Sequence, residues 1–219
     1  MRKIRTATFV SLDGVMQAPG GPAEDPRGGF RHGGWTFPFF DERLGQLMDR
    51  AMGADYDLLL GRCTYEIFAG FWPYQDDEIG RTFNAVNKYV AAGPDTAMTW
   101  AHSHRLEGDL PDAVRALKAT EGRDLLIQGS SEVIHALLAR DLIDQLTVLT
   151  FPIVLGRGKR LFDATSAAHA WTLEHSETTL NGVIVATYRL GGDVPTGSFA
   201  DDDPSPEELE RRQRWAGEG

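Results

Sequence analysis

An apolar run, Leu58-Leu59-Leu60, stops at Gly61 and gives way at once to Arg62-Cys63-Thr64-Tyr65-Glu66, which reads as a helix start. A second passage is built the same way. Leu125-Leu126-Ile127 leads through Gln128 into Gly129-Ser130-Ser131, then into a helix whose Val133, Ile134, Leu137 and Leu138 recur at helical spacing. Strands separated by helices pair in parallel through crossovers, so this repeated step commits the chain to an α/β sheet. Each step also leaves unpaired backbone N–H groups and partial positive charge at a helix start, where an anion such as a phosphate can sit. At the first step Arg62 adds a formal charge and Thr64 a hydroxyl or a cap. At the second, Gly129 lets backbone approach a ligand closely, and Ser130 or Ser131 caps the helix. A strand-to-helix connection without a ligand has the same appearance. Neither turn reads Gly-x-Gly-x-x-Gly, and no ribose-binding acid follows at the usual spacing, which argues against a Rossmann fold.

The rest of the chain fits around these two steps. The patterns predict strands over residues 4–10, 57–60, 88–92, 124–128 and 145–151. Helices are expected over 41–52, from Thr64 onward, through Val86, over 111–119 and over 131–140. Two further β-like segments, 171–178 and 183–190, flank Asn181-Gly182, a strong hairpin signal. The expected sheet is therefore mixed, mostly parallel, with an antiparallel edge. Residues 17–38 hold Pro19, Gly20, Gly21, Pro22, Pro26, Gly28, Gly29, Gly33 and Gly34. This composition forms no regular element, and a loop of that length in a compact domain reads as a lid. Trp35, Phe37, Phe39 and Phe40 follow it and suit either stacking on a flat ring or core packing.

At 219 residues, 42% of them hydrophobic, the chain is long enough for one domain with a sizeable core. A net charge of −10 disfavours nucleic acid and anionic membrane surfaces as partners. Cys63 is the only cysteine, so no intrachain disulfide forms, and no apolar run approaches the ~20 residues of a membrane span. The cytoplasm is the expected compartment. Cys63 has no neighbouring His in sequence and reads as structural rather than nucleophilic. His102 and His104 lack a third ligand at metal-site spacing, so no metal is expected. Past Leu190 the sequence turns to glycine, proline and Asp201-Asp202-Asp203, an acidic tail over 191–219 expected to be flexible, in which Ser205-Pro206-Glu207-Glu208 is able to start a short helix.

Seven motifs in order carry a family resemblance: Ser11-Leu12-Asp13-Gly14, Leu60-Gly61-Arg62 with Thr64-Tyr65-Glu66, Phe71-Trp72-Pro73, Lys88-Tyr89-Val90, Gln128-Gly129-Ser130, Leu142-Ile143-Asp144-Gln145-Leu146, and Pro152-Ile153-Val154-Leu155-Gly156-x-Gly158-Lys159-Arg160-Leu161-Phe162. Together, over residues 1–190, they resemble stand-alone relatives of the reductase domain of the bifunctional deaminase-reductase of riboflavin biosynthesis, within the dihydrofolate-reductase-like superfamily. The resemblance implies a three-layer αβα domain. It implies NADPH-dependent reduction of a pterin-like or pyrimidine-like heterocycle by hydride transfer.

By the same resemblance, Gly61, Arg62, Thr64, Gly129, Ser130 and Ser131 hold the cofactor. Asp41 and Asp13 are the candidate catalytic acids, and Asp13, Trp35 and Phe39 the candidate substrate contacts. For Asp13 the alternative is a turn aspartate before Gly14; for Asp41 it is ordinary helix capping. The segment after Lys88-Tyr89-Val90 departs from the family. Ala91-Ala92-Gly93-Pro94-Asp95 offers no reader of the cofactor's 2′-phosphate. A missing charge-assisted pair costs about 1.5–3 kcal/mol, so NADH is not excluded unless Arg105 or Arg123 substitutes. The apolar segment 142–155 and the habits of the family suggest a two-fold homodimer. The rival to a reductase is a non-catalytic nucleotide-binding module that retains the fold.

Overall fold

The computed structural model describes residues 1–199 and 204–218. Eight strands form one sheet: β1 Ile4–Ser11, β2 Tyr56–Gly61, β3 Lys88–Ala91, β4 Ser103–Leu106, β5 Asp124–Ile127, β6 Gln145–Phe151, β7 Ala170–Thr178 and β8 Ile184–Gly192. Their order is β4-β3-β2-β5-β1-β6-β8-β7, parallel from β4 to β6 and antiparallel at β8 and β7. The helices are α1 Glu42–Met52, α2 Arg62–Phe71, α3 Glu78–Ala85, α4 Leu110–Ala119, α5 Ser131–Leu138 and α6 Pro206–Ala216.

The continuous apolar run of β2 is explained by cover on both sides. Leu59 packs with Val114 of α4 and with Ile134 and Leu137 of α5, while Leu58 and Leu60 pack with Tyr65 of α2 and Phe83 of α3. The same division, with α1 joining α2 and α3, gives three layers. At the hairpin, Gly182 takes φ +80°, the conformation that an Asn-Gly turn requires. The N-terminal ends of the strands are tied by a buried pair, Arg2 to Asp57 at 2.5 Å, with Asp57 also accepting from the backbone N–H of Asn87.

Three regions add to these expectations. β4 carries no apolar alternation because it is a sheet edge, and its Ser-His-Arg-Leu sequence gave no strand signal. In the run 142–155, β6 lies between β1 and β8 with Leu146, Leu149 and Phe151 buried inside this chain, while Val154 is exposed. In the acidic tail, Ser205 accepts from the N–H of Glu208 and starts α6, with no buried residue along it, while Trp215 stacks on Arg211 at 4.4 Å rather than docking on the body. Asp201-Asp202-Asp203 lies outside the described residues.

Candidate active site

The parallel strands all end on one edge of the sheet. β2 and β5 are neighbours there, and their chains leave toward opposite faces, α2 joining the layer of Tyr65 and Phe83 and α5 that of Val114. A crevice opens outside strand ends at such a point of divergence. Here a cavity of about 490 Å³ lies over it, in the range of small-molecule sites. Thr64, Gly129, Ser130 and Ser131 line it, while Gly61 lies outside its lining and packs against Ser130 and Val133. A Cβ on Gly61 would fall 1.8 Å from Ser130 Oγ, and one on Gly129 would fall 3.0 Å from Thr64 Oγ1. The two turns interlock, which is why both positions are glycine. The Gly129–Ser130 peptide is cis.

The helix starts divide into two groups. Asp41, Asp77, Asp109 and Ser205 each cap their helix with a side-chain bond to a backbone N–H. Gly61 and Ser130, at the starts of α2 and α5, provide no such bond. The two helix ends that converge on the cavity thus keep donors for something else.

Other sequence-derived candidates go elsewhere. The Asp13 carboxylate accepts from Ser11 Oγ at 2.6 Å and from the N–H groups of Leu155 and Gly156 at 3.0 and 2.8 Å, and Arg160 lies 3.3 Å away. Burial pushes its pKa up, but these bonds outweigh it and hold the group down at about 2. Asp13 therefore knots the end of β1 to the loop after β6 and is not part of the cavity wall. Asp41 is spent on the N–H of Leu44 at 2.7 Å. Trp35 is buried, donates from Nε1 to Gln17 O at 2.9 Å and meets Phe151 edge-on, and Phe39 meets the same ring, so both support the lid from beneath. Phe37 and Phe40 line the cavity in their place. Arg62 is half-exposed, pairs with Glu66 at 2.9 Å and stays out of the cavity.

The residues missed in sequence sit in the lid. Glu24, Asp25 and Arg27 line the cavity with Lys159, which comes from the loop after β6. Asp25, 7% exposed at its side chain, binds Arg27 Nε at 2.6 Å and Lys159 Nζ at 3.0 Å. Burial raises its pKa, and the two cations more than reverse that, to about 2. Glu24 has no cation. Its Oε2 accepts from the N–H groups of Gly20 and Gly21, yet burial first, and the charge of Asp25 next, hold its pKa above the usual carboxylate value. Buried Gln17 fastens this wall. Its Nε2 donates to the carbonyls of Asp25 and Arg27 at 3.0 and 2.9 Å, and its Oε1 accepts from Lys159 N at 3.1 Å. Cys63 Sγ lies 2.6 Å from Arg27 Nη1, joining the start of α2 to the lid. The one sequence signal for this wall was the presence of charged residues inside a glycine- and proline-rich loop.

Of the two arginines weighed as readers of a 2′-phosphate, Arg123 pairs with Asp55 at the opposite edge of the sheet. Arg105 stands beside the right loop but donates to the carbonyls of Ala92, Gly93 and Thr96. Among the described residues no group of three potential metal ligands occurs, and no helix is long and apolar enough to cross a membrane.

Comparison with known proteins agrees with this fold. Residues 2–185 match the model of the RibD C-terminal domain. YyaP of Bacillus subtilis (strain 168) is 22% identical over 200 residues, covering 87% of this chain and 96% of YyaP. A Shewanella sp. PV-4 protein provisionally described as a riboflavin biosynthesis protein superposes with a TM-score of 0.61, at 24% identity over 87% of this chain and 99% of that one. Dihydrofolate reductase from Enterococcus faecalis, complexed with NADP(H), superposes with a TM-score of 0.55, at 14% identity over 85% of this chain and 96% of that one. These solved structures share the fold.

Proposed function

Because the chain belongs to the RibD C-terminal domain family, we propose that it is a nicotinamide-dinucleotide-dependent reductase of a small conjugated heterocycle. The observation that carries this reading is the meeting of two helix starts without side-chain caps, those of α2 and α5, over one cavity. Such a wall fits a dinucleotide. Backbone N–H groups at the two helix starts would face phosphate oxygens, Gly129 would allow close approach, and the hydroxyls of Thr64, Ser130 and Ser131 would add donors. The likeness to a reductase complexed with NADP(H) supports NADPH as cofactor, while the weak provision beside Arg105 leaves NADH as an alternative.

Reduced nicotinamide, when bound, supplies a hydride to a ring carbon of the substrate. The conjugated nitrogen or oxygen must then take up one proton, and the chain has to hold it. Neither Asp13 nor Asp41 is placed to do so. Glu24 is the candidate: it lines the cavity, it has no cation partner among the described residues, and burial raises its pKa above the usual carboxylate value. The lid and the aromatic rings exclude water from the same space.

The test is calorimetric titration with NADPH and NADH, followed by absorbance loss of each in the presence of pterins and pyrimidines. Dinucleotide binding with turnover that falls at least tenfold in Glu24→Gln is expected. Binding without turnover on any ring would favour the non-catalytic nucleotide-binding module, and absence of binding would remove both readings.

A further inference from the structure

Beyond the two polar walls, the cavity has a third part whose chemistry differs from both. Its lining includes Phe68 and Phe71 of α2, Trp72 just after it, Met52 of α1, and Phe37 and Phe40 from the segment before α1. The aromatic rings interlock edge-to-face: Phe68 and Trp72 lie 6.0 Å apart at 83°, and Phe71 and Trp72 4.9 Å apart at 80°. Phe37 is 80% exposed and Phe71 51% exposed at the mouth. Two large aromatic side chains kept in water beside a cavity are surface held open for an apolar partner.

Charge in the cavity points the same way. A phosphate needs a cation or a cluster of free donors. The two cations that line the cavity, Arg27 and Lys159, both close on Asp25. Glu24 adds an acid that nothing neutralises. The donors at the starts of α2 and α5 are already assigned to the dinucleotide in the reading above, on which this inference rests. A phosphorylated sugar on the substrate would therefore face aromatic rings and a carboxyl group, each of which opposes its burial.

We propose that the ring compound reduced here is an uncharged, mostly apolar bicyclic or larger ring with a conjugated C=N or C=O bond, and carries no phosphate. Stacking on Phe71 and Trp72 selects it, and Glu24 meets its single polar edge.

Quinoxaline, an uncharged bicyclic ring with C=N bonds, and uridine 5′-monophosphate, a phosphorylated pyrimidine, are suitable probes for calorimetry on the full chain. Quinoxaline should bind at least tenfold more tightly. Phe37→Glu and Phe71→Glu replace exposed side chains, so the variants should fold, and each should weaken quinoxaline at least tenfold while leaving NADPH and NADH affinity within twofold. Equal or tighter binding of uridine 5′-monophosphate overturns the proposal, as does an unchanged quinoxaline affinity in both variants. Titration with dinucleotide separates the two claims. A chain that binds quinoxaline but neither dinucleotide keeps the apolar site and loses the reductase reading, whereas one that binds dinucleotide but prefers the phosphorylated pyrimidine loses this proposal alone.

Discussion

On one side of the cavity the wall is neutral: Gly129, three hydroxyls and two helix starts that no side chain caps. On the other side the wall is charged and made of side chains, with Asp25 held between Arg27 and Lys159 and with Glu24 left over. The first wall is rigid because it grows directly out of the central strands β2 and β5. The second hangs on a long loop and is fixed by one buried amide, Gln17. The first suits a ligand bound the same way each time, and the second a substrate that must be enclosed and given a proton.

If the neutral wall works through its backbone, a side chain at its closest point should do the most damage. Gly129→Asp places a Cβ 3.0 Å from Thr64 Oγ1 and adds an anion where phosphates are expected. Dinucleotide affinity should fall at least tenfold, about 1.4 kcal/mol, with the largest loss among the variants considered. Calorimetry on the folded variant checks this, and an unchanged affinity would detach the ligand from this wall.

The charged wall should show itself in acid. Asp25 has a folded pKa of about 2 against an ordinary 3.8, so its contribution to stability is complete above the ordinary value and is lost as pH falls through the folded one. With its side chain 7% exposed, that contribution is about 2 kcal/mol. Denaturant midpoints measured from pH 5 to pH 2 should drop for the native chain, and Asp25→Asn should flatten the part of the curve between about pH 4 and pH 2. Identical curves would mean that Arg27 and Lys159 do not hold this carboxylate in solution.

The contrast between the walls also explains what the sequence reveals. A neutral wall built from strand ends leaves a local signature, an apolar run, a glycine and a helix start, so Thr64, Gly129, Ser130 and Ser131, which line the cavity, stood out as candidates without coordinates. The mostly parallel pairing followed from the alternation of strands and helices and the antiparallel hairpin from Asn181-Gly182, whereas the strand order came only with the structure. The charged wall leaves no periodic signal, because Glu24, Asp25 and Lys159 meet only through the fold of a loop and a contact 134 residues apart in sequence. Asp13 and Asp41, which lie outside the cavity lining, were ambiguous for a related reason. A capping or turn aspartate and a catalytic one share a sequence pattern, and only the partners of the carboxylate separate them. Trp35 and Phe39 were read as ring-stacking candidates in an aromatic cluster whose alternate members, Phe37 and Phe40, point the other way.

Gln17→Ala probes the fastening of the lid with a smaller effect. Three hydrogen bonds are lost, two of them to carbonyls of the charged wall, and stability should fall by about 1–2 kcal/mol. The sharper readout is proteolysis. Cleavage between residues 17 and 38 should rise several-fold over the native chain, with fragments identified by mass because α6, which has no buried residue, offers a second exposed site. Equal cleavage rates would show that Trp35 and its packing on Phe151, rather than Gln17, hold the lid.

The smallest effect is expected at Arg62, where sequence and structure part company. Its charge beside the first turn suggests an anion contact, but its guanidinium turns outward to Glu66, one helical turn along, and both side chains are about half exposed. An exposed i,i+4 pair contributes about 0.3–0.5 kcal/mol, and a solvated charge outside the cavity adds little to a phosphate held by backbone groups. Arg62→Ala should therefore change dinucleotide affinity by less than about threefold, under 0.7 kcal/mol, and the difference should vanish at high salt because only long-range attraction is lost. A tenfold loss that persists in salt would mean that Arg62 leaves Glu66 and swings into the cavity when the ligand binds. The neutral wall would then carry a charge of its own, and the division between the two sides of the cavity would fail at this residue.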